Sequence, residues 1–117
     1  MFVGKTVIEL EKVAQVLKLL GDKTRLTIMG LIKDGECCVC EFVEVLQMSQ
    51  PSISQHLRKL RDAGLVKEQR RGQWIFYSVN TNHPSYLIVQ QVLEQIPDQK
   101  EKLQALEEAG LRIQCDM

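Results

Sequence analysis

The chain has 117 residues with fifteen basic and fifteen acidic side chains, enough for one domain with a modest core and too few for two. The balanced charge excludes a chain coated in phosphate-binding cations, and no run approaches the roughly eighteen apolar residues that a membrane-spanning helix needs. The N-terminal MFVGKTVIELEK lacks a basic start followed by an apolar block, so the expected compartment is the cytoplasm, where four cysteines point to metal or redox chemistry rather than structural disulfides.

Thr6 followed by Glu9 forms a capping-box pattern, and Leu10, Val13, Ala14, Leu17 and Leu20 recur at helical spacing up to Gly21. They predict a first helix over 7–20. Asp22 is placed to cap a second helix carrying Leu26, Met29 and Ile32, closed by Asp34-Gly35. A short third helix is expected to open within ECCVC, with Val39, Phe42, Val43 and Leu46 at i, i+3, i+4 and i+7, and to end near Gln47-Met48. Ser49 as N-cap and Pro51 in the first turn start a fourth helix, with Ile53, Leu57 and Leu60 as its buried stripe and Ala63-Gly64 at its end.

LVKEQ and QWIFYSV are β-rich runs joined by Arg70-Arg71-Gly72, which reads as a two-stranded hairpin with a charged tip. Asn80 to Ser85 is a polar loop. Leu87, Ile88, Val92 and Ile96 mark a fifth helix, Pro97 breaks it, and Asp98 is placed to cap a last helix bearing Leu103, Leu106 and Ala109 before Gly110. The order implies one mainly α domain, a winged helix-turn-helix with a small β-hairpin. Its helix-turn-helix would occupy 36–64 and its wing 65–79.

Charge is distributed unevenly along this plan. Residues 49–73 hold six cations against two anions, residues 1–48 six against seven, and residues 84–117 three against six. The basic segment coincides with the fourth helix and the hairpin, as expected for contact with double-stranded DNA through one face. The fourth helix presents short polar and amide side chains that suit a major groove: Ser49, Ser52 and Ser54 reach phosphate or base, and Gln50 and Gln55 can pair with adenine. Ser54 lies nearer the buried stripe. His56 suits phosphate or base, and Arg58, Lys59 and Arg61 suit phosphates. Arg70, Arg71 and Gln73 would form the contacting edge of the wing, while Trp74, Phe76 and Tyr77 read as core rather than base-stacking platforms.

Cys37, Cys38 and Cys40 crowd into four positions. Thiolates are soft ligands suited to Cu(I) and zinc, and the same preference extends to arsenite, antimonite and cadmium. At a helix N-terminus they are expected to gain from the positive end of the dipole, which lowers a thiol pKa. In an intact helix Cys38 and Cys40 would stand about 200° apart. Joint ligation, with sulfurs about 3.8 Å apart in a tetrahedral site, would then require the first helical turn to distort, and that distortion could move the DNA-reading helix. Cys37 and Cys40, three residues apart, could chelate with less strain. The same thiols also suit reversible oxidation.

From about Leu10 to Val79 the chain resembles the arsenical-resistance repressor family (ArsR/SmtB). The likeness is carried by LGDKTRLTIMGLI, by SQPSISQHLRKLRDAGLV and by WIFYSV, and ECCVCE is similar to the ELCVCD box with which some members bind thiophilic metal. The resemblance implies a homodimer built on the first and last helices, here 7–20 and 84–109. It also implies a palindromic operator, and release of DNA on effector binding. Cys38 and Cys40 align with the two cysteines of the box, while Cys37 takes its apolar position. Val43 stands where some arsenic sensors carry a third cysteine, no cysteine precedes Cys37 as in the cadmium and lead type, and Asn80, Thr81, Asn82 and His83 replace the Asp-x-His of zinc sensors. The expected function is therefore a repressor, not an enzyme, released by As(III) or Sb(III) on Cys38 and Cys40 with a third sulfur from Cys37 or Cys115. Redox sensing, or response to Cd, Pb or Zn, is the alternative.

Overall fold

A computed structural model describes residues 9–112 of the chain. These form α1 (Leu10–Leu20), α2 (Lys23–Leu31), β1 (Cys37–Cys38), α3 (Val39–Leu46), α4 (Gln50–Asp62), β2 (Val66–Arg71), β3 (Trp74–Val79), α5 (Tyr86–Glu94) and α6 (Lys100–Glu108). The expected winged helix-turn-helix is present. Thr6, half of the anticipated first capping box, lies outside the described residues.

Local caps fall where the sequence places them. The Asp22 carboxylate accepts the Arg25 N–H at 3.0 Å, and the Ser49 hydroxyl accepts the Ser52 N–H at 3.3 Å with Pro51 in the first turn of α4. Each satisfies a backbone donor that the helix itself leaves open. Asp98 accepts the Lys100 N–H at 2.9 Å at the start of α6, and α6 gives way to Gly110 with φ +76°. Between α3 and α4 the chain turns through Gln47, whose left-handed φ of 53° reverses it within three residues.

Cys37 and Cys38 depart from expectation. They form a strand rather than the first turn of a helix, and the sheet has three strands in the order β1-β3-β2. Cys37 pairs with Tyr77 and Cys38 with Phe76, antiparallel. The reason is visible at Glu41, whose carboxylate accepts the Cys38 N–H at 2.8 Å. A glutamate at the third helical position reaching back in this way makes Cys38 the N-cap, with extended backbone, and delays the helix to Val39.

Ile28, Met29, Phe42, Ile53, Leu57, Leu60 and Leu65 form the centre of the core, buried between α2, α3, α4 and the sheet. Burial of each large side chain contributes roughly 1.5–3 kcal/mol. On α1 the buried residues are Val16 and Leu20, while Leu10 and Leu17 are exposed, so of the stripe read from the sequence only Leu20 is buried in this core. Leu87 on α5 is likewise exposed, with Val89 and Leu93 turned inward.

Candidate nucleic-acid interface and thiol site

The outer face of α4 carries the anticipated polar set. Ser49, Gln50, Gln55, Arg58 and Lys59 are exposed, and Ser52, Ser54 and His56 are half-buried. Ile53, Leu57 and Leu60 anchor the opposite face. Sequence reasoning missed the residue that orients His56. Arg25 of α2 places a guanidinium nitrogen 3.2 Å from His56 Nδ1 and donates through Nε to the Leu19 carbonyl at 2.8 Å. A guanidinium only donates, so Nδ1 accepts and the proton of a neutral His56 sits on Nε2. Arg61, expected to meet phosphate, instead pairs with Asp62 and Glu68 at 3.1 Å each.

The wing turns at Gly72, whose φ of +63° opens a two-residue turn with Gln73. Arg70 and Gln73 are exposed at this end of the hairpin. Arg71 is half-buried and engaged. It forms an ion pair with Glu36, its Nη2 lying 3.0 Å from Glu36 Oε1, donates to Gln69 at 2.8 Å, and stacks 4.9 Å from the Phe76 ring centroid. It braces β1 against the wing. Phe76 and Tyr77 are buried, as expected of core aromatics. His83 packs its ring against Gly64, whose φ is +82°, and accepts the Ser85 N–H at 3.1 Å.

The strand at Cys37–Cys38 splits the thiols between two faces of the sheet. Cys37, with Tyr77 opposite it, belongs to the hydrophobic core. Burial, reinforced by the Glu41 carboxylate, pushes its thiol up to about 12. Cys38 faces the other way, on the side shared by Phe76 and Trp74. There it lines the same surface cavity as Cys40. The expectation that these two point to opposite sides is thereby corrected, because Cys38 lies outside the helix. Against the lowering expected at a helix N-terminus, partial desolvation of the exposed Cys40, then its neighbour Cys38, push its thiol up to about 12.

Cys38 and Cys40 line a surface cavity of about 330 Å³ together with Gln50, Gln73, Trp74 and Ile75. This brings the start of α4, the wing and the thiol pair onto one concavity. The pair suits a thiophilic atom, and among the described residues no three His, Cys, Asp or Glu side chains are grouped to hold a metal ion. Cys37 is turned away, and Cys115 lies outside the described residues. Glu41 was not anticipated. Its carboxylate is 1 % exposed, accepts from Cys38 N–H, and pairs with Arg112 Nε at 2.6 Å, tying the segment after α6 to the thiol turn.

Residues 22–68 match the family described as bacterial regulatory protein, arsR family. The chain is 44 % identical over 73 residues to the arsenic resistance transcriptional regulator ArsR1 of Pseudomonas putida, a match covering 62 % of this chain and 57 % of that protein. It is 34 % identical over 84 residues to a cadmium resistance transcriptional regulatory protein CadC homolog of Staphylococcus aureus, covering 71 % and 69 %. Its fold is similar to that of HlyU from Vibrio cholerae, with a TM-score of 0.65 at 30 % identity over 72 % of this chain and 90 % of that one. The two curated relatives are regulators by name. Among the described residues, no helix is long and apolar enough to cross a membrane.

Proposed function

Since this chain belongs to the arsR family of bacterial regulatory proteins, we propose that it is a transcriptional repressor that binds an operator through α4 and the wing, and leaves it when As(III) or Sb(III) is taken by Cys38 and Cys40. The observation that carries this reading is the single cavity whose wall includes both thiols, Gln50 at the start of α4 and Gln73 of the wing. A ligand held there presses on both elements that would touch DNA. Gln50, Ser52 and Gln55 would reach base edges, and Ser49, Ser54, His56, Lys59, Arg70 and Gln73 the backbone or groove edges. Arg71 would contribute through its hold on the wing.

The repressor would act as a homodimer joined through α1, α5 and α6, where Leu10, Leu17 and Leu87 stand exposed. Two-fold symmetry then calls for a palindromic operator. A third sulfur from Cys37 would have to leave the core, and one from Cys115 would come from beyond the described residues. That Cys38 and Cys40 line the same cavity also favours a second reading, in which a peroxide oxidises the pair to a disulfide and is itself reduced to water.

Operator binding followed by fluorescence anisotropy separates these readings. The titrants are arsenite, cadmium and zinc in excess reductant, then peroxide without it. Release by arsenite under reductant is expected. If arsenite leaves the complex intact and peroxide alone dissolves it, the redox reading replaces the metalloid one.

A further inference from the structure

Trp74 is the chain's one tryptophan. Trp74 lines the cavity that holds Cys38 and Cys40, and its indole N–H is buried without a hydrogen-bond partner. No other buried side-chain nitrogen or oxygen among the described residues is left in that condition. Register explains the proximity. Cys38 stands opposite Phe76, and Trp74 lies two residues along the same strand, so all three share one face of the sheet. A buried donor without an acceptor is unfavourable, and native structures leave few of them.

The thiol pair is incomplete in a matching way. Trivalent arsenic makes three bonds, and Cys38 and Cys40 offer two sulfurs. Cys37 is buried on the opposite face of β1, and no three potential ligands are grouped among the described residues. Among the described residues, the third bond is left to an atom that the ligand brings with it.

We propose that Trp74 reads that atom: arsenous acid is held as a dithiolate that keeps one hydroxyl, and the indole N–H donates to its oxygen. In the binding step two arsenic–oxygen bonds break and two arsenic–sulfur bonds form. The Cys38 and Cys40 protons leave with the departing hydroxyls as two molecules of water, and arsenic remains trivalent. Trp74 is thus a specificity residue for oxyacids of trivalent arsenic or antimony, over ligands whose third position holds carbon. The inference rests on the reading of the Cys38–Cys40 pair as the effector site.

Trp74→Phe keeps an aromatic ring and removes the donor. Arsenite and methylarsonous acid are the probes, because both take two thiols and only arsenite then retains a hydroxyl. Affinities are read from thiol titration and from displacement of DNA, and unchanged DNA binding without ligand certifies the fold. The substitution should weaken arsenite roughly tenfold and leave methylarsonous acid within a factor of two. In the unsubstituted protein arsenite should consume two thiols and shift the emission of Trp74. Equal effects on both compounds, or three thiols consumed per arsenic with Cys115→Ser reducing the count to two, would overturn the role of Trp74 while leaving the thiol site standing. Loss of no thiols with either compound would overturn the site itself, and this inference with it.

Discussion

Partial desolvation, then its neighbour Cys38, push the Cys40 thiol up to about 12, so a proton on Cys40 at neutral pH is the expectation. The consequence depends on what arrives. Cadmium binds thiolate, so its capture expels the Cys40 proton and tightens as pH rises. Arsenous acid supplies a leaving hydroxyl that carries the proton off as water, so its capture is nearly independent of pH. Between pH 6.5 and 8 cadmium affinity should climb at least about tenfold per unit, and arsenite affinity should stay flat. Competition titrations at three pH values check this, and a parallel rise for both would contradict the protonated state of Cys40. On the reading face, Ser49 caps α4 through Ser52 N–H. Ser49→Ala should cost about 1 kcal/mol of stability by denaturant melts and weaken operator binding as well, if Ser49 also meets the DNA.

At the scale of elements, the thiol turn is tied to the segment after α6 by Glu41, which takes Cys38 N–H on one side and Arg112 on the other. Arg112→Ala removes a cation from a carboxylate that is 1 % exposed. Stability should fall on the order of 2 kcal/mol, with Arg112→Lys restoring part of it in thermal melts. Nearly all the helices were legible in the sequence, because Asp22, Ser49, Pro51 and the apolar spacing of Ile53, Leu57 and Leu60 act locally. β1 was not. Its two residues are held as a strand by pairing with Tyr77 and Phe76, some forty positions away, and by the reach of Glu41, neither of which leaves a local periodicity. The same omission misplaced the site geometry. A helical count separates Cys38 from Cys40, whereas the strand brings them together and turns Cys37 into the core. The partnership of Arg25 with His56 and that of Arg71 with Glu36 were equally invisible, since each joins elements distant in the chain.

For the whole molecule, the exposed leucines of α1 and α5 and the single reading helix of α4 argue for action as a pair. Leu17 is 49 % exposed on a helix whose other face is already packed. Leu17→Glu should shift sedimentation from dimer to monomer at micromolar concentration, lower operator affinity at least about a hundredfold, and lower the melting temperature by what dimerisation lends the fold. An unchanged dimer would place the interface elsewhere. The central claim, that one cavity joins the effector thiols to the DNA-reading helix, is tested most directly by mapping arsenite-driven release from operator onto single cysteines under reductant. Cys38→Ser and Cys40→Ser should each bind DNA normally and no longer leave it. Cys37→Ser, with its thiol in the core, should still be released. Release that survives in Cys38→Ser and Cys40→Ser would contradict the account.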